Sequence, residues 1–178
     1  MKKLNLGCGD IRKEGYINID IIETKATDVV ADVSKKIPLP DNSVDEIYSR
    51  MFLEHTKDFD KAIEEIYRVS KNGAQLVIIV PFCFSYCAFH PDHHNFFNHM
   101  SFNIYFSNDN RWTKGAHIKL KKEKIYFHFQ PFGKLNPLNF FNWMFSKIAN
   151  KKPDTYMRLF AHLFPAYSIY YKLEVIKD

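Results

Sequence analysis

Apolar and polar positions along this chain change period once, and that change organises it. Lys3 to Leu6, Tyr16 to Ile21, Asp28 to Ala31 and Val44 to Tyr48 are short apolar runs between turn formers, which predicts four strands in quick succession. From Asp58 to Ser70 the apolar residues Phe59, Ala62, Ile63, Ile66, Tyr67 and Val69 recur at three- and four-residue intervals, with Asn72-Gly73 following as a stop signal. That spacing predicts an amphipathic helix. Leu76 to Val80 is then a continuous apolar run of the kind buried on both faces of a sheet. A helix that returns the chain to a buried strand makes a βαβ unit, and the handedness of such crossovers lays the helix on one face of a mostly parallel sheet. The expected fold class is therefore α/β. Beyond Pro81 the pattern loosens: Ile118 to Phe129 reads as one or two strands, Leu138 to Ile148 and Thr155 to Phe164 have helical spacing, and Tyr167 to Ile176 reads as a closing strand.

A length of 178 residues with 46% hydrophobic and 25% charged positions suits one globular domain, 1–178, with a core at 1–102 and an aromatic-rich cover or acceptor region at 103–178. Met1-Lys2-Lys3 is followed by no apolar run of signal-peptide type, and the stretch from Leu76 to Phe89 falls short of the roughly 20 apolar residues that cross a bilayer. Cys8, Cys83 and Cys87 are odd in number and show no paired CxxC spacing, which argues against a disulfide framework and a zinc ribbon. A cytoplasmic location is expected. Residues 1–81 carry 12 Lys/Arg against 14 Asp/Glu, whereas residues 82–178 carry 13 against 6 and hold 24 of the 29 aromatics. A basic, aromatic half suits an anionic small molecule, a membrane surface or nucleic acid, or is simply a core with a solvated lysine face.

Ligands of open α/β sheets sit beyond the carboxyl ends of the strands. Here those ends are Gly7-Cys8-Gly9, Asp20, Asp32 and Ser49-Arg50-Met51, followed by Phe52-Leu53-Glu54-His55. A pyrophosphate fingerprint needs a third glycine three residues after the second, where this chain has Arg12, and Asp10 beside the glycines would repel a pyrophosphate. A cofactor carrying a sulfonium, an ammonium, a ribose diol and an adenine amine suits acidic strand ends better.

Leu4 to Gly9 followed by Gly15 to Asp20, then Ala31-Asp32-Val33, Ile37 to Asp45, Leu53-Glu54-His55 and Ile66 to Ala74 resemble, in order, the compact class I S-adenosylmethionine (SAM)-dependent methyltransferases of the methyltransferase type 11 group. The resemblance covers about residues 3 to 102. It implies a Rossmann-like, mostly parallel sheet with helices on both faces and an antiparallel final strand. It also implies SAM as cofactor and methyl transfer to a small-molecule substrate, with a sugar or saccharide precursor as the association of similar proteins. Position by position, it implies that the Gly7, Cys8 and Gly9 backbone cradles the methionine part of SAM, with Asn5 before it. Asp20 would take the ribose hydroxyls beside Ile21, Asp32 and the Val33 amide would read adenine, and Ser49 and Met51 would line the wall towards the acceptor. Two departures are Asn5, where the family has an acid, and Ile11, where it has a third glycine. They motivate an alternative reading as a SAM-binding module without transfer.

Asp20 lies only eleven positions beyond Gly9, where such units normally allow roughly twenty, so the first helix is expected to be vestigial or absent. One face of the sheet is then thinly covered, and Phe140 to Phe145 with Tyr156 to Phe164, or a second subunit in a homo-oligomer, are expected to cover it. Past the central strand, His90, His93, His94 and His99 invite a metal reading, yet Pro91 and Asp92 within the cluster suit a plain loop, and no metal is expected. As catalytic candidates, His90 and His93 suit a general base for a hydroxyl acceptor, with Asp92 as orienter. A peripheral membrane enzyme acting on a lipid-linked acceptor is a further alternative, motivated by the basic aromatic half. No nucleic-acid motif supports an RNA substrate.

Overall fold

In the computed structural model, residues 1–106, 118–131, 133 and 136–177 are described. Seven strands form one sheet in the order β3-β2-β1-β4-β5-β7-β6: β1 Lys3–Leu6, β2 Ile17–Asp20, β3 Val29–Val30, β4 Val44–Arg50, β5 Ser70–Pro81, β6 Lys119–His128 and β7 Ser168–Ile176. The first five run parallel, and β7 pairs antiparallel with both β5 and β6. The helices are α1 Phe59–Val69, α2 Asn139–Lys151 and α3 Pro153–Leu159.

α1 starts where Asp58 accepts a bond from the Lys61 amide, and it ends where the Ser70 backbone N–H turns back to the Ile66 and Tyr67 carbonyls. Its apolar stripe buries Ala62, Ile63, Ile66 and Val69. The helix stops at Val69, ahead of the expected Asn72-Gly73 signal, because β5 begins at once. Gly73, with φ of 78°, serves a bulge in the pairing of β4 with β5. Ile118 to Phe129 resolves into one strand with an irregularity between Lys122 and Lys124. The last predicted helix closes early, at Leu159.

Strand register explains where the core lies. Leu4 sits beside Ile47 and Leu6 beside Ser49, and Leu76 and Ile78 continue the same rows towards Leu173 and Tyr171. All of these are buried, and α1 packs over them. Side chains alternate across a strand, so the other face carries Lys3, Glu46, Tyr48, Val77, Ile79, Tyr170 and Tyr126, every one of them partly exposed. The turn between β1 and β2 holds no helix, the absent one of the two outcomes expected from the eleven-residue spacing. The thin covering expected over the first half thus extends across the sheet among the described residues. Lysines and tyrosines protect this face instead: Lys13 lies over Tyr48 at 4.2 Å and over Tyr16 at 4.7 Å, and Tyr126 stacks on Tyr170.

The aromatic segments do not cover that face. α2 packs on α3 and on β6, at the end of the sheet far from β1 to β3. Asn150 closes the free edge of β6 by accepting from the Phe127 amide at 2.7 Å and donating to the Phe127 carbonyl at 3.1 Å. Tyr156 is wholly buried against Phe82 and Phe127. Short helices joined at Lys152 hold these rings where β6 would otherwise be an open edge.

Candidate active site

The carboxyl ends of the five parallel strands form one rim, and the antiparallel pair adds Tyr167 and Gln130 to it, since Ser168 pairs with both Pro81 and His128. Along this rim the order is Asp32, Asp20, Gly7, Met51, Pro81, Tyr167. Each expected residue lies on it or beside it.

The glycine loop turns sharply. Gly7 and Gly9 have φ of 69° and 52°, in the left-handed region, and the amides of Gly7 and Cys8 donate to the Ile19 carbonyl. A Cβ on Gly7 would fall 2.3 Å from the Phe52 ring. The Gly9 amide donates to Asp20 at 2.8 Å, and the Ile22 amide donates to the other oxygen of the same carboxylate at 3.0 Å. Ile21 projects into solvent. Asp32 accepts from the Ser34 hydroxyl and amide, which hold its carboxyl below the usual range, and Val33 is buried beside it. Asn5 is buried with its amide donated to Asn18, whose own amide bonds Asp28. Bonds from the Asn18 backbone and side chain, and from Arg12, lower the Asp28 carboxyl to about 2. Asn5 therefore braces the loop from below. Cys8 is buried, which pushes its thiol up, and all three cysteines are free.

Ser49 is buried, with its hydroxyl unpartnered, and Met51 holds a φ of 50°, an uncommon conformation for a side chain of its size. Met51 borders a cavity of about 540 Å³ that is also lined by Glu54, His55, Pro81, His90 and His93. Two of the three sequence-predicted catalytic residues line this space, and Asp92 joins them from its edge. Asp92 bonds Nδ1 of His90 and, at 3.0 Å, Nδ1 of His55, while Nδ1 of His93 meets the Ala88 carbonyl at 3.0 Å. With each Nδ1 engaged, Nε2 is the nitrogen left for chemistry. His94 and Asn95 donate their amides to the Glu54 carbonyl, which ties the histidine loop to the turn after β4. His99 lies apart, bonded to Asp154.

Glu54 lies within the Leu53-Glu54-His55 motif, whose residue pattern gives it no role of its own. It is 1% exposed, one carboxylate oxygen has no partner, and burial raises its pKa to about 7, with the Asp92 charge adding to the rise. No sequence pattern signals that environment, because it is made by the loop folding back over the turn. Glu54, His55 and His93, and likewise His90, Asp92 and His93, bring one ligand-capable atom each within 4.8 Å of one another, a spacing a divalent metal could draw together.

Residues 4–78 match the sequence model of the methyltransferase domain family. Residues 4–78 thus carry a methyltransferase domain match, and the fold of the chain is that of SAM-dependent methyltransferases. A SAM-dependent methyltransferase from Archaeoglobus fulgidus is similar over 98% of this chain and 85% of its own, at 18% identity and a TM-score of 0.60. A chain in the complex between the Haloferax volcanii Trm112 methyltransferase activator and a methyltransferase is similar at 14% identity and a TM-score of 0.59, covering 99% and 83%. A Thermotoga maritima methyltransferase described as a possible histamine N-methyltransferase is similar at 13% identity and a TM-score of 0.56, covering 99% and 82%. No curated protein matches the sequence. At these identities the structural likenesses speak for fold. SAM is the cofactor that the family match implies, and the loop fits it: close backbone approach at Gly7 and Gly9, and carboxyl side chains at the ends of β2 and β3, for a ligand with a cationic centre and a diol. Among the described residues no helix is long and apolar enough to cross a membrane.

Proposed function

We propose that this methyltransferase methylates a hydroxyl of a small molecule held in the cavity between Met51 and His93. The observation that carries the reading is the position of that cavity, which begins at Met51, one strand along the rim from Gly7, and is lined by histidines whose Nδ1 atoms are already fixed. The loop from Gly7 to Gly9, with Asp20, Asp32 and the Val33 amide, would hold SAM, which when bound supplies a methyl group activated by its sulfonium. Positioning gives most of the acceleration in such a transfer. The chain's own part is to fix the acceptor oxygen against the wall at Ser49 and Met51 and to receive its proton. His90, held by Asp92, and His93, held by Ala88, are the proposed acceptors of that proton. A saccharide hydroxyl is compatible with this lining of histidines and one carboxyl.

Isothermal titration with SAM tests the cofactor half. Wild type should bind one equivalent, and Asp20→Ala should weaken binding by about 10- to 100-fold, the range for losing hydrogen bonds to a charged group. A wild type that releases no heat, or an Asp20→Ala variant of unchanged affinity, overturns the assignment.

A further inference from the structure

The turn after β4 and the histidine loop meet at one place, where Glu54 and His55 of the turn come up against His93 of the loop. The bonds from the His94 and Asn95 amides to the Glu54 carbonyl hold the two segments together there. One ligand-capable atom of each of these three side chains lies within 4.8 Å of the other two, and the rings of His55 and His93 meet edge to face at 4.6 Å. A single loop segment makes a poor metal site, and from sequence no metal is expected on it. The fold changes that reading by adding two side chains from a second element.

Glu54 is 1% exposed, and its Oε2 has no hydrogen-bond partner. A buried carboxyl oxygen without a donor has given up its hydration for nothing, and a cation is the partner that restores the loss. The histidines supply what such a cation needs. His93 Nδ1 lies 3.0 Å from the Ala88 carbonyl, which can only accept, and His55 Nδ1 lies 3.0 Å from an oxygen of Asp92. Both rings therefore carry their proton on Nδ1 and keep a lone pair on Nε2. A carbonyl or a carboxylate behind the ring is the arrangement that orients histidine ligands of metals.

Two imidazoles and one carboxylate form a donor set for ions of the zinc class, in which three protein ligands leave a position open. Calcium and magnesium call for more oxygen ligands than this place offers. The same three residues line the cavity of about 540 Å³, so the open position faces the space assigned to the acceptor.

We propose that Glu54, His55 and His93 bind one divalent transition-metal ion of the zinc class, with a coordination position left open to the histidine cavity for the acceptor hydroxyl. The inference rests on the reading of that cavity as the acceptor site, and it divides the histidines between two tasks. His93 becomes a ligand, and His90, held by Asp92 outside the ligand set, receives the proton. In the transfer the acceptor O–H bond breaks with its proton passing to His90, and the oxygen forms a bond to the methyl carbon. The carbon–sulfur bond of SAM breaks, leaving its electron pair on sulfur. The ion makes the hydroxyl easier to deprotonate, as it does a bound water, and its own oxidation state does not change.

Calorimetric titration of the full chain, first stripped with a chelator, with Zn²⁺ tests the site, with circular dichroism and SAM titration on the same samples. Wild type should bind one equivalent. Glu54→Gln, His55→Gln and His93→Gln should each weaken Zn²⁺ binding by about 100-fold or more, and Asp92→Asn by about 10- to 100-fold, as for a residue behind a ligand. His55 and Asp92 are exposed, so their variants keep the wild-type fold even if a Glu54 variant does not. His94→Gln, exposed and outside the ligand set, should bind as wild type does, which separates the site from zinc gathered by surface histidines. Co²⁺ in place of Zn²⁺ should give visible absorption that azide shifts, a readout of the open position. A wild type that takes up no equivalent of Zn²⁺ overturns the inference, as does binding that His55→Gln and His93→Gln leave intact or that His94→Gln abolishes. A cobalt spectrum that azide leaves unmoved overturns the place of the acceptor on the ion. SAM binding without Zn²⁺ binding removes the metal inference alone, whereas Zn²⁺ binding without SAM binding removes the methyltransferase reading of the site.

Discussion

Glu54→Gln is the sharpest test of the architecture around the histidine loop. Glu54 sits in the turn after β4, closed over by the His94 and Asn95 amides, with one oxygen unpartnered and its pKa raised from 4.5 to about 7 by burial. A carboxyl whose folded pKa lies above its unfolded value favours the folded state while it stays protonated. Its contribution is complete below pH 4.5 and is lost as pH rises through about 7, because the unfolded chain ionises first. A shift of this size corresponds to about 3 kcal/mol between those limits, an upper figure since a burdened site relaxes by admitting water. Gln is nearly isosteric and does not ionise. The stability of Glu54→Gln relative to wild type should therefore rise between pH 4.5 and about 7.5 by up to about 3 kcal/mol and then level off. Urea unfolding followed by circular dichroism at pH 5, 6, 7 and 8 reads the difference directly, and any fixed packing cost of the amide appears equally at every pH. A difference that stays constant across this window would show that Glu54 ionises normally, and would refute the closed environment from which the argument starts.

The glycines of the loop separate backbone strain from collision. Gly9→Ala should cost about 1 kcal/mol, since its φ of 52° is uncomfortable but nothing lies within 4 Å of a new Cβ. Gly7→Ala should cost clearly more, because its Cβ meets the Phe52 ring at 2.3 Å, and Phe52→Ala should restore part of the loss; equal costs for the two alanines in urea melts would contradict the packing. The Tyr156 hydroxyl donates to the Phe164 carbonyl and accepts from the Ala166 amide, both at 2.8 Å. Tyr156→Phe should lower stability by about 1–3 kcal/mol by stranding that buried amide, and an unchanged melting temperature would show that the turn after α3 does not depend on it.

Much of this protein is legible from local pattern. The strands at Lys3–Leu6 and Val44–Arg50, the helix of Phe59–Val69 and the buried strand after it follow from periodicities of two and 3.6, since each element must bury one face. Gly7, Gly9 and Asp20 could be placed together because a parallel sheet brings all its carboxyl ends to one rim, and the structure joins Gly9 to Asp20 by a hydrogen bond. The short connection from Gly9 to Asp20 likewise limited the first helix to a vestigial or absent one by length alone.

Tertiary structure decided what depends on distant segments meeting. The aromatic segments went to the β6 edge, away from the thin face, because β7 inserts beside β5 and carries α2 and α3 with it, an order that no local pattern encodes. Asn5 gained a bracing contact that local pattern does not show, because Asn18 of the neighbouring strand, itself held by Asp28, accepts its amide. Glu54 became a buried carboxyl only when a loop forty residues on closed over it. Periodicity reports which face of an element is buried. What lies against that face, and how far a carboxyl there is removed from water, is set by contacts between residues far apart in the chain.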